Sequence, residues 1–179
     1  MPGCVQTKCQ FTARMRGFTL LELVAVISII AVLSTIAVER LWEIQVKAER
    51  AAMESVIGAI QSALGLKVAE ALLAGDRTGL DTLAGSNPME RLSEVPNNYA
   101  GALADAAEVV GGQWYFDLRE RVLVYRAYNV ANFRGGATDP AQVRFAVRLD
   151  LEVARTGRRD QGIVGARLVP LEPYTWSKR

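Results

Sequence analysis

Glu22 is the one charged residue between Phe18 and Val38, where the chain reads FTLLELVAVISIIAVLSTIAV. An acid at the centre of a membrane-spanning helix costs about 2.5–3.5 kcal/mol, and less near an end. Two chemistries would tolerate it there. In the first, Glu22 reaches up to the headgroup layer and does nothing more. In the second, it pairs with an amine. A cut between Gly17 and Phe18 would leave a new α-ammonium group on Phe18, about one helical turn from Glu22. The carboxylate could then hold its own amine or that of an adjacent copy. An intersubunit pair would fix the axial register of packed apolar helices, as a buried polar residue does in coiled coils.

Other reactive constellations are few. The 179 residues include no His, which removes Ser-His-Asp and Cys-His catalysis and His-based zinc sites. Cys4 and Cys9 are the two cysteines, and their spacing is not that of a metal or redox pair. Asp150 and Glu152 stand two apart on one strand face. Arg144 and Arg148 share that face, so a solvated, ion-paired surface explains them better than acid/base work. Asp76 and Asp81 could ligate calcium, but Asp is also a common turn and cap residue. Trp114, Tyr115 and Phe116 alternate sides of a strand and read as packing. Arg155, Arg158 and Arg159 form a small basic loop, and the formal net charge is only +2, so nucleic acid is not favoured. No Gly-rich phosphate loop follows a strand. The residues point to no enzyme, no cofactor and no metal site.

What must position Glu22 is a helix. Phe18–Val38 would span about 30 Å, the thickness of a bilayer's hydrocarbon core. Residues 1–17 carry Lys8, Arg14 and Arg16 and no acid, which keeps the N-terminus cytoplasmic and exports the chain beyond Val38. A cleaved secretory signal would need a shorter apolar region, and helical character continues without a break. Met53, Ile57, Ile60, Leu64, Val68 and Leu72 recur at three- and four-residue steps, an amphipathic stripe. No proline interrupts 18–74, so one continuous helix is expected, ending at Ala74-Gly75-Asp76.

Residues 75–112 read as an irregular connector with short helical turns near Leu80–Leu83 and Pro88–Leu92. QWYFDL (113–118) and RVLVYRAY (121–128) flank a turn and read as a hairpin. Gln142–Val153 alternates strictly, with Val143, Phe145, Val147, Leu149, Leu151 and Val153 on one face. Ile163–Val169 gives a last strand before Pro170. The fold class is therefore α+β, with a long N-terminal helix packed on a roughly four-stranded antiparallel sheet over 113–170.

The stretch RGFTLLELVAVISIIAVL resembles the N-terminus of type IV pilins and type II secretion pseudopilins. The shared signature is a basic leader, then Gly-Phe-Thr-Leu-x-Glu opening a long apolar helix; it covers about the first forty residues. The resemblance implies that prepilin peptidase cuts after Gly17 and methylates the new N-terminal Phe18, and that Glu22 is the assembly carboxylate. The organisation it implies is a leader (1–17), a transmembrane or filament-core helix (18–38), an amphipathic continuation (39–74) and a head (75–179). Implied partners are prepilin peptidase, other pilin or pseudopilin subunits, and an inner-membrane assembly platform with its ATPase. The expected location is the bacterial inner membrane, with the head in the periplasm, and then a pilus or pseudopilus.

Removing the leader takes away three of 21 basic residues and none of the 19 acidic ones, leaving net charge −1 and no cysteine. Many major pilins close a C-terminal loop with a disulfide and carry a proline where this chain has Glu39. Lacking both, it leans towards a pseudopilin or minor pilin. The alternative from another class is a single-pass, signal-anchored envelope protein that never polymerises.

Overall fold

The computed structural model describes residues 17–75, 79–135, 141–151 and 162–177. The chain divides into two units, Met1–Leu41 and Trp42–Arg179. One helix, α1 (Leu20–Ala74), runs through both, 55 residues without a proline. In the first unit its apolar side chains, from Leu20 to Leu41, are all exposed. A helix apolar on every side needs an apolar surrounding, and this one is long and apolar enough to cross a membrane.

In the second unit the helix is amphipathic. Met53, Ile60, Leu64 and Val68 are buried, while Ile57 and Leu72 are half-buried at the margin of the same core. Gly75, at φ +69°, stops the helix, and its N–H donates to the Leu72 carbonyl at 3.3 Å. This left-handed residue just past the end is a common helix terminator. The expected helical turns follow as short 3-10 segments, Leu80–Leu83 and Pro88–Arg91. Asn87 caps the second: its Oδ1 accepts from the Met89 N–H at 3.2 Å, and Pro88 takes the first helical position.

The sheet has five strands rather than four, and one of its pairs is parallel. In chain order the strands are β1 (Tyr99–Leu103), β2 (Gln113–Asp117), β3 (Val122–Arg126), β4 (Phe133–Gly135), β5 (Gln142–Leu151), β6 (Ile163–Pro170) and β7 (Tyr174–Trp176). The main sheet runs β1-β2-β3-β5-β6, and β4 and β7 pair separately. The expected hairpin is β2–β3, with Gln113 opposite Arg126 and Asp117 opposite Val122. Asp117 Oδ1 closes its turn by accepting from the N–H groups of Arg119 and Glu120, at 2.7 and 3.1 Å.

β1 lies within the stretch read as irregular, and it runs parallel to β2. The register shifts between Tyr99 and Ala102, where Gly101 sits at φ +103°. A glycine bulge of this kind hides a strand from period-2 reading. The segment after β1 crosses the sheet face opposite the helix, where Val109 packs with Tyr115, Val122 and Val124 as a second small core. Trp114 and Phe116, one residue to either side of Tyr115, belong to the main core under the helix. In β5, Val143, Phe145 and Val147 are buried, but Leu149 is half-buried and Leu151 exposed, so the alternation fades towards the strand's end.

Candidate functional site

The first site is the start of α1. Gly17, Phe18 and Thr19 precede the helix and are exposed. Thr19 organises its first turn: the Glu22 N–H donates to Thr19 Oγ1 at 3.2 Å, and the Leu23 N–H donates to the Thr19 carbonyl at 3.1 Å. The first bond satisfies one of the four orphan donors of a helix start, and the second is the first bond of the helix itself. Thr19-Leu20-Leu21-Glu22 has the spacing of a capping box, with the acid at the third helical position. The role of Thr19 is one that the sequence expectations above leave out, although Ser/Thr-x-x-Glu before an apolar run is the signal that finds it. Glu22 is exposed in the first turn, where the helix dipole favours negative charge. A side chain added at Gly17 would meet nothing within 4 Å.

This geometry brings an exposed peptide bond, an aromatic residue and a carboxylate into one short stretch at a capped helix start. It offers a protease an accessible bond and offers an amine a nearby acid.

The chain carries a prokaryotic N-terminal methylation motif. The family model of that description matches residues 12–38, the stretch holding the Gly17–Phe18 bond, Glu22 and the apolar run. The motif is of the prepilin cleavage and methylation type, typical of type IV pilins and pseudopilins, and implies processing by prepilin peptidase. Searches among curated proteins and solved structures found no match. The motif and the helix together suggest a pilin-like or pseudopilin-like subunit anchored in the inner membrane before assembly. Pilin-like family membership would imply a structural rather than a catalytic role.

The remaining candidates fall elsewhere. Asp150 pairs with Arg167 of the neighbouring strand at 2.8 Å, and both are partly solvated. Arg144 bridges Glu120, at 2.6 Å, and Glu172, and these two carboxylates hold its guanidinium above the usual range. Asp81 is exposed, and among the described residues no three potential metal ligands gather. Residues 1–16, Asp76, Glu152, Arg155, Arg158 and Arg159 lie outside the described residues.

A second polar centre is absent from the sequence expectations. Glu49 lies on α1, four residues before Met53 and in phase with the buried stripe. Its Oε1 accepts from the Tyr125 hydroxyl at 2.9 Å and the Tyr128 N–H at 2.6 Å. Its Oε2 accepts from the Asn129 N–H at 3.0 Å and Asn129 Nδ2 at 2.6 Å. One carboxylate thus fastens the helix to the end of β3 and to the backbone after it. Burial first, and then the Glu49 charge, push the Tyr125 hydroxyl well above the usual range. The available signal is an acid on the stripe of an amphipathic helix, which implies donors on the facing element.

Proposed function

We propose that this chain is a structural subunit of a type IV pilus or type II secretion pseudopilus. In this reading it is made as a single-pass inner-membrane protein with Phe18 on the cytoplasmic side and its head outside. Prepilin peptidase cuts between Gly17 and Phe18 and methylates Phe18. The apolar helices then pass from lipid into a bundle, where their burial is preserved, and Glu22 meets an N-terminal amine that fixes the stagger. The sequence offers no nucleotide-binding loop, so the work of extraction falls to a partner ATPase beneath the membrane.

The observation that carries this reading is the match over residues 12–38, which sets an exposed Gly17–Phe18 bond before a capped, membrane-length helix. The helix and the sheet packed on it support it further. In the test, Glu22→Ala inserts into the membrane normally but does not enter sheared fibres or cross-linked polymers. Normal incorporation removes Glu22 from the assembly role. Gly17→Val leaves uncleaved precursor, seen by N-terminal sequencing. An intact N-terminus in wild-type cells with active peptidase favours the non-polymerising anchor instead.

A further inference from the structure

We propose that Leu41, Trp42 and Ile44 form a lipid-interface anchor that sets the depth of α1 in the bilayer. The inference rests on the reading of α1 as a membrane span, and it adds what holds that span at one depth. From Leu20 to Leu41 the helix rises about 32 Å, slightly more than the ~30 Å hydrocarbon core. The outer edge of the core then falls between Val38, the last residue of the uncharged run, and Leu41, and Trp42 lies just past it. Headgroup layers add roughly 5–7 Å on each side. Trp42 and Ile44 fall within the outer one.

The chemistry fits that layer. Trp is enriched at membrane–water interfaces because its ring prefers an apolar body with a wet edge. Trp42 is 61% exposed, whereas Trp114 is fully buried and Trp176 half-buried. Leu41 and Ile44 are as open, at 56% and 59%. At about 100° per residue, the three are spread over roughly 160° of the helix circumference, wider than the stripe a single packed surface covers. Lipid surrounds a helix on all sides, as one protein neighbour does not. Glu39 and Arg40 precede them and Glu43 lies among them, so the segment mixes charge with large apolar groups, as a headgroup layer does. Fixing Trp42 at the outer interface leaves the Gly17–Phe18 bond at the opposite face, within reach of a membrane-embedded peptidase.

The test uses the full-length protein in phosphatidylcholine/phosphatidylglycerol vesicles brominated either near the headgroup or deep in the acyl chains. Subtracting the emission of Trp42→Phe isolates Trp42. Shallow bromines are expected to quench it at least about twofold more than deep ones, at every protein-to-lipid ratio. Equal, deeper or absent quenching overturns the anchor. Quenching that disappears as protein-to-lipid ratio rises assigns the surface to a second copy and overturns it too. No peptidase is present, so the result is independent of N-terminal processing. The pilin reading can fail by N-terminal sequencing while the anchor stands, and the reverse.

Discussion

Glu49 and Tyr125 are 76 positions apart in the chain, yet the tyrosine hydroxyl donates to the glutamate at 2.9 Å. The pair joins the helix to the third strand of the sheet. The same carboxylate takes two backbone N–H groups, from Tyr128 and Asn129, so it also fixes where the chain goes after that strand. Removing it strands several donors at once, and hydrogen bonds to charged groups contribute about 1.5–3 kcal/mol each.

Glu49→Ala is therefore expected to destabilise the head by about 3 kcal/mol or more, and Tyr125→Phe by about 1–2 kcal/mol. Urea unfolding in detergent micelles, followed by near-ultraviolet circular dichroism of the buried Trp114, measures both. The double variant should cost clearly less than the sum, because the two groups share one bond. Simple additivity would show that the contact contributes nothing.

The same tyrosine gives the head an alkaline limit. Its folded pKa lies above its unfolded value near 10, chiefly because the hydroxyl is buried and next because Glu49 repels the phenolate. The native state thus holds a proton that the unfolded chain releases. Its stabilising share is complete below about pH 10 and declines by up to about 1.4 kcal/mol per pH unit above it. Tyr99, Tyr115 and Tyr174 are shifted in the same direction, each mainly by burial. Unfolding midpoints measured from pH 8 to 11 should hold steady and then fall. Tyr125→Phe should flatten the fall, and an unchanged slope would exclude Tyr125 as a source.

The elements legible in sequence are those whose signal is local and repeated. The span from Phe18 to Val38, the stripe through Met53, Ile60, Leu64 and Val68, and the alternation of Val143, Phe145 and Val147 all repeat over several turns or residue pairs. The β2–β3 hairpin also shows, because two apolar runs flank a short polar turn. What stays hidden depends on a partner distant in sequence. β1 reads as loop because Gly101 interrupts it and its bond partner, β2, begins ten residues after it ends. β4 and β7 are three residues each, too short for any period, and exist by pairing across forty positions of chain. Glu49 is legible as a charge, but its role comes from the loop after β3. The capping role of Thr19 is readable in Thr-x-x-Glu, whereas the pairing proposed for Glu22 involves an amine that proteolysis would create.

Gly58 and Gly65 sit inside α1, both exposed, and a Cβ added at either would meet nothing within 4 Å. Neither has the positive φ that would require glycine. Alanine should therefore gain about 1 kcal/mol at each by reducing backbone freedom in the unfolded chain. Thermal unfolding of Gly58→Ala and Gly65→Ala in micelles should show raised midpoints. A lowered midpoint in both would mean that these positions meet a neighbour in the folded protein.

Gly135 answers to the opposite constraint. It lies in β4 at φ +120°, where an added Cβ would come within 2.2 Å of the Pro173 carbonyl oxygen and 2.5 Å of Tyr174 Cα. Both are backbone atoms, so no side chain can swing aside. The close approach lets β4 and β7 pair, with Phe133 opposite Trp176 and Gly135 opposite Tyr174. Phe133 then meets Trp176 edge-on at 5.1 Å, while Tyr174 meets Phe145 of β5 edge-on at 5.9 Å. This small sheet thereby closes the aromatic end of the core. Gly135→Ala should push β7 away and cost about 2–4 kcal/mol, because strained backbone and lost ring packing add. Amide hydrogen exchange gives the sharper reading, since protection should fall over 174–176 while β2 and β3 keep theirs. Unchanged protection in β7 would show that the strand pair tolerates a methyl group, and that glycine is not what permits its approach.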